Sequence, residues 1–311
     1  MSRLIDDIGA FLEAGGFEYS FQTRYDFDVI CVKTLDESNN RIILPLEISA
    51  RTVGNAMEDS QKAAEAIRMI RPLEGYPIIV PEDRWHRQKE MMQARIMAHL
   101  ELFSQAYARN CEVRRIDKET ARRFLTDNHS YGYAACKYRY GLFLKKHTGH
   151  IAREIQEENF PDRSRNENNG LHSDTIGRLI AVATFSNARK WIKDGKEIRS
   201  YEWTRYASLP DLRVSGGMGK LLKAFIKEVQ PDDIMSYADL EWSEGGVYKM
   251  LGFKEELSKE AVGFEIDPET WERRAVKGLA ATAQMQEKSA DKLYYINFGS
   301  RKFRLKLTEY R

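Results

Sequence analysis

Three glycines in the run VSGGMGK, residues 214–220, stand between a strand-like segment and an amphipathic helix. Few folds accept that junction. Glycine at 216, 217 and 219 lets the backbone turn sharply and approach a neighbour closely. The helix that opens there, about 219–229, puts Leu221, Leu222, Phe225 and Ile226 on one stripe and Lys220, Lys223 and Lys227 on another. A strand at 234–238, a short helix around 244–250 and Gly252-Phe253 follow. The free N–H groups at the start of such a helix suit a pyrophosphate. A glycine turn that only tightens the strand–helix junction leaves the same pattern.

The rest of the chain divides around residue 108. Its 311 residues suit two units of about 150 each. Residues 3–14 read as an amphipathic helix stopped by Gly15-Gly16. Strands follow at 28–32 and 41–48, joined by a polar hairpin turn at 36–40, and Pro45 marks the second strand as edge or bulged. A helix at 55–71, a short buried strand at 76–80 and a long helix at 84–103 complete this unit.

The second unit opens with a strand at 112–116. Asp117 then caps a helix at 118–128. Strands read at 137–146, 177–186 and 197–207, with period-two alternation placing Arg205 on one face with Tyr201 and Trp203. The polar stretch 147–176 reads as a long inserted loop. After the turn come a β-rich stretch at 254–266, a helix from Trp271 and a strand pair across Phe298-Gly-Ser. The expectation is an α/β (α+β, mixed-sheet) chain, with a smaller unit at 1–108 and a larger one at 109–311.

Composition excludes several classes. Hydrophobic residues make up 42%, enough for a core, and no stretch approaches the roughly 20 apolar residues that span a bilayer. Asp6 and Asp7 interrupt the first apolar segment, which argues against a secretory signal and for a cytoplasmic protein. Cys31, Cys111 and Cys136 are widely spaced, so neither a disulfide framework nor a zinc ribbon is indicated. Net charge is only +2, so contact with nucleic acid would rest on local patches. Basic clusters lie at 114–115, 122–123, 137–146 and 301–306, with Tyr138, Tyr140, Tyr294, Tyr295 and Phe303 interleaved as stacking platforms would be. Solvated charged faces produce similar runs. His147 and His150 are too few for a metal site.

Over residues 112–266 the order strand, glycine turn, helix, strand, short helix and Tyr248-Lys-Met-Leu-Gly-Phe253 resembles the GNAT (N-acetyltransferase-like) superfamily. The resemblance implies acetyl-CoA or a related acyl donor, its pyrophosphate on Val214, Gly216, Gly217, Met218, Gly219 and Lys220. Val214 stands where that family usually carries Gln or Arg, with Arg213 one residue early. The segments FLTDNH (124–129), EWTRYAS (202–208) and SYADLEWS (236–243) further resemble a phage-associated GNAT-like group that includes the Mom-type DNA adenine-modification proteins. That resemblance implies a cleft lined by His129, Arg205, Asp239 and Tyr248. A histidine there could relay a proton near neutral pH. Asp239 ends a strand where α/β sites gather, Tyr248 could protonate a leaving thiolate, and Arg205 could hold a phosphate with two prongs.

In the first unit, Asp28 in one strand and Glu47 at the end of the next, followed by helix, strand and helix, resemble a PD-(D/E)XK nuclease core of the Vsr-like kind. Two such carboxylates can hold Mg²⁺ if the unit is an active nuclease. Ser49 replaces the lysine expected two residues after Glu47, which implies a degenerate, DNA-binding version. Three functions stay open: a GNAT-like transferase that modifies DNA bases; a DNA-binding or processing protein whose GNAT-like part lacks catalysis; and an acetyl-CoA-dependent N-acetyltransferase of a protein or small amine.

Overall fold

The computed structural model describes residues 3–34, 40–145, 177–193, 195–276 and 291–309. The inserted loop at 147–176, the turn at 36–40 save Asn40, His147 and His150 lie outside them.

The first unit runs α1 (Leu4–Ala14), β1 (Tyr19–Arg24), β2 (Phe27–Lys33), β3 (Asn40–Leu46), α2 (Val53–Glu74), β4 (Ile78–Pro81), α3 (Glu82–Arg87) and α4 (Lys89–His99). Its sheet has the order β1-β2-β3-β4, antiparallel except for the β3–β4 pair that α2 connects. Helix α1 buries Leu4, Ile5, Ile8 and Leu12 against Ile30, Val32 and Ile43 on one sheet face. Helix α2 covers the other face with Ala63, Ile67 and Ile70.

Three expectations change here. Strand β1 was not anticipated. Strand β3 is interior, so Pro45 does not mark an edge; its missing N–H is tolerated because pairing with β2 ends at Ile43, leaving Pro45 opposite Val80 alone. The long helix breaks at Gln88, whose φ of −130° and ψ of 40° leave the helical region.

The chain continues with β5 (Ser104–Tyr107), which pairs with β11 across the expected boundary at 108, a 3-10 turn at Ala108–Asn110, β6 (Cys111–Arg115), α5 (Lys118–Asn128), β7 (Tyr138–Leu144), β8 (Leu179–Phe185), β9 (Arg189–Lys193), β10 (Lys196–Ser208), β11 (Leu212–Ser215), α6 (Gly217–Val229), β12 (Asp233–Asp239), α7 (Gly246–Met250), β13 (Lys254–Lys259), β14 (Gly263–Ile266), β15 (Arg273–Ala275), β16 (Leu293–Ile296) and β17 (Ser300–Lys306). Asp117 caps α5 as expected, accepting from the Thr120 N–H at 2.7 Å. The large sheet has the order β13-β17-β12-β10-β8-β7-β6, with β9 on the edge of β10. Only β10–β12 is parallel. Helix α6 packs Phe225 flat against Phe185, ring centroids 3.9 Å apart, on one face. Helix α5 packs Ala121, Phe124 and Leu125 on the other. The chain is mixed α/β with mixed sheets, as its pattern indicates.

The segment between β13 and β17 forms a small sheet, β15-β14-β16, that packs back on the first unit. Phe264, Ile266, Leu293 and Tyr295 join Val29, Cys31, Ile42 and Leu44 in one core. A helix does not start at Trp271. Asp267 Oδ1 accepts from the Glu269 and Thr270 N–H groups, Trp271 takes a left-handed φ of 57°, and 273–275 is extended. Among the described residues no helix is long and apolar enough to cross a membrane.

Candidate active site

The parallel pairing of β10 with β12 lasts only from Ser200–Asp233 to Glu202–Met235. Beyond it β10 bulges: Trp203 lies opposite Phe185 and Arg205 opposite Thr184, so Thr204 is an extra residue. Its hydroxyl donates to the Thr184 carbonyl at 3.0 Å and fixes the bulge. One inserted residue exchanges the two faces of every residue after it. Tyr201 and Trp203 pack with Phe225 of α6, whereas Ala207 packs under α5. Arg205 therefore lies on the α5 face and not, as strict alternation predicted, with Tyr201 and Trp203.

Where the strands part, a cavity of about 790 Å³ opens. His129, Arg205, Asp239 and Tyr248 all line it, and Met218 brings the glycine turn to its wall. Helix α4 of the first unit supplies the facing wall with Met91, Ala94, Arg95, Ala98 and His99.

Asp239 closes β12. Its Oδ1 accepts from the Glu241 N–H at 2.9 Å, and the Tyr131 phenol lies close enough to favour the charged carboxylate. Burial, with Glu241 nearby, pushes the carboxyl above its ordinary range; the Glu241 N–H, Tyr131 and Arg84 counteract in part. Asp239 and Arg205 do not pair. Arg205 donates from Nε to the Gly132 carbonyl at 3.1 Å and from Nη1 to the Thr204 carbonyl at 2.8 Å. Those two bonds fix the guanidinium and leave its Nη2 hydrogens and one Nη1 hydrogen for a ligand; burial lowers its pKa.

His129 ends α5 and accepts the Tyr131 N–H on Nδ1 at 3.1 Å, which places its proton on Nε2. Burial and the charges of Arg205 and Arg84 pull its pKa down to about 3. It is a neutral imidazole across the physiological range, not a group titrating near neutrality. The Tyr248 hydroxyl lies 2.8 Å from Ser236 Oγ, which also reaches the Trp203 carbonyl at 3.0 Å. Burial raises the phenol's pKa and Ser236 counteracts. The Tyr248 ring stacks on Phe303 at 5.2 Å.

The glycine turn is built by close packing. Gly216 caps α6 with a left-handed φ of 77°. A Cβ on Gly217 would lie 2.9 Å from Val214 Cγ1 and 3.2 Å from the Tyr206 hydroxyl. Val214 itself pairs with Ala106, through the parallel β11–β5 ladder. Lys220 does not point into the turn: its Nζ donates to the Ala108 and Cys111 carbonyls at 2.8 and 2.6 Å. What remains for a pyrophosphate is backbone, the N–H groups of Gly217, Met218 and Gly219 at the start of α6.

Asp28 and Glu47 do come together, at a separate cavity of about 310 Å³. Arg3 sits between them, Nη2 at 2.7 Å from Asp28 and Nε at 3.7 Å from Glu47. Its guanidinium takes the position that a shared cation would need. Among the described residues no group of three or more His, Cys, Asp or Glu side chains is placed to hold a metal.

The basic run at 301–306 is not an open patch. Strand β17 lies between β12 and β13, where Arg301 pairs with Glu244 and Glu255, Lys302 with Glu256, and Arg304 with Asp233 and Glu256. Tyr295 and Phe303 are buried and offer no stacking face. Arg122 and Arg123 on α5 are exposed.

Sequence patterns missed Tyr131, Arg84, Arg95, Asp83, Glu241 and Arg273. Glu241 falls inside the SYADLEWS run without being singled out, and each of the six acts through a partner 30 or more residues away or through the main chain. Comparison with models of known protein families and with curated proteins gives no match.

Proposed function

We propose that this cavity is the active site of a GNAT-like transferase that modifies bases in DNA. The observation that carries the proposal is convergence: four side chains chosen from separate segments of the sequence line one cavity at the parting of two parallel strands. The strand order, antiparallel up to β10, parallel to β12 and then antiparallel, supports the resemblance.

An acyl donor such as acetyl-CoA would supply the activated acyl group, its pyrophosphate on the N–H groups of Gly217, Met218 and Gly219. Transfer to an exocyclic amine then asks three things of the chain. The amine must lose a proton, and Asp239 accepts it, its basicity raised by burial. The leaving group must gain one, and Tyr248 is the hydroxyl at the cavity wall that donates it. Water must be kept from the reacting atoms, and α4 contributes Met91, Ala94 and Ala98 to the wall that would do so. A base in a duplex must be turned out of the stack to reach such a cavity.

A second reading rests on Arg3: a first unit whose carboxylates hold an arginine fits DNA binding or processing without metal-dependent cleavage, with the second unit non-catalytic. An N-acetyltransferase of a protein or small amine uses the same cavity. Mass spectrometry of nucleosides from cells expressing the protein separates the three. A new nucleoside, absent with the Asp239→Asn variant, is expected. An unchanged profile from soluble wild-type protein overturns the base-modification reading, and acetylated protein or amine in its place favours the third.

A further inference from the structure

Two short segments carry the reacting end of the cavity, and each is tied to the first unit by a buried arginine. The turn at 129–132 presents His129 and Tyr131. Its Ser130 carbonyl accepts from Arg84 Nη1 and, at 2.8 Å, from Gln88 Nε2, both at the α3–α4 break. Arg84 also lies 4.6 Å from the Tyr131 ring centroid. The loop after Asp239 is held from α4. Arg95 donates to the Glu241 and Trp242 carbonyls at 3.0 Å each, and to Ile79 at 2.5 Å. Its guanidinium covers the Trp242 ring at 4.5 Å. The Glu241 side chain is gripped in turn by Arg273, which also grips Asp83 of α3.

A buried guanidinium held only by carbonyls is an expensive way to fill space, since apolar side chains of similar volume serve packing as well. What a guanidinium adds is direction: several donors in a fixed plane. Both arginines are under one-tenth exposed, and both direct their donors at main chain within two or three residues of a cavity-lining group.

We infer that the first unit is a working part of the cavity, in which Arg84 and Arg95 are positioning residues that hold the turn carrying His129 and Tyr131 and the loop after Asp239 in place around the reacting end. This rests on the cavity being the active site. The break at Gln88 then has a purpose: it aims Arg84 and Gln88 together at one carbonyl.

The test uses full-length Arg84→Met, Arg95→Met and Arg95→Lys proteins. In amide hydrogen exchange on the free protein, Arg84→Met should speed exchange in 129–132, and Arg95→Met in 240–243, by about tenfold or more, as expected for losing hydrogen bonds from a charged donor. Strand β8 should not change. Arg95→Lys should restore part of the protection. A uniform rise over all segments reduces the arginines to general support; no rise in either segment leaves them without this role. Either result overturns the inference. In the DNA-modification assay the Met variants should lose about tenfold or more in kcat with KM within about threefold, whereas a change confined to KM overturns it. If wild-type protein modifies no DNA, the functional proposal fails and the exchange result decides this one alone.

Discussion

Asp239 and His129 are each kept in the protonation state that their burial opposes or demands, and their pH signatures differ. The folded pKa of Asp239 is raised, so at neutral pH its charge costs stability, a cost that disappears once the pH falls below the unfolded value of about 3.9. Asp239→Asn should therefore raise the melting temperature at pH 7 while cutting transfer by about a hundredfold or more, measured by calorimetry and single-turnover product formation. A fall in both would mean that the carboxylate is structural. His129 runs the other way. Below about 6.5 the unfolded chain takes a proton that the folded chain refuses until about 3, so stability is intact above 6.5 and drains as pH falls toward 3. His129→Asn, which keeps an acceptor for the Tyr131 N–H, should flatten urea midpoints measured between pH 7 and 5. Both residues were legible because short motifs carry them. Tyr131 was not: a tyrosine three residues past a helix end has no signature, and its importance comes from a loop more than a hundred residues away.

Helices with one clear apolar stripe, and a capping Asp117, could be placed from pattern alone. The elements that failed did so because tertiary partners decide them. The Thr204 bulge cannot be read from alternation, since EWTRYA continues it without fault; only the Thr184 partner reveals the extra residue. Pro45 looked like an edge because the sequence does not say where the β2 ladder stops. The glycine turn stands where the pattern puts it, and the structure favours the packing reading that the pattern left open beside the phosphate one. Its glycines make room for Val214, Tyr206 and Leu251, as well as exposing backbone. Gly217→Ala should cost about 1–3 kcal/mol in urea unfolding, as overpacking does. Lys220→Met should also destabilise, through loss of two carbonyl contacts, and should leave an acetyl-CoA titration followed by calorimetry unchanged. Loss of donor affinity in that variant would return Lys220 to the phosphate site.

The sequence reads as two runs of strands and helices, at 1–108 and 109–311, and carries no sign of contacts that tie them together. Arg273 joins them, its side chain 9% exposed between Asp83 at 3% and Glu241 at 4%. Removing one member of a buried ionic set leaves the others charged and unpaired. Arg273→Met should cost about 3–5 kcal/mol, seen as one cooperative unfolding transition at lower denaturant. Two separate transitions would show that the units fold independently. The small β15-β14-β16 sheet bears on how the chain is made. Residues 3–99 leave the ribosome before residues 263–296, so the strand residues Val29, Ile42 and Leu44 wait for Phe264, Ile266, Leu293 and Tyr295 before their core is closed. This sheet is thus synthesised well before it is finished, and until then its α2 face stays only partly covered. A slow ribosome, or a stop before residue 263, would release a species prone to self-association.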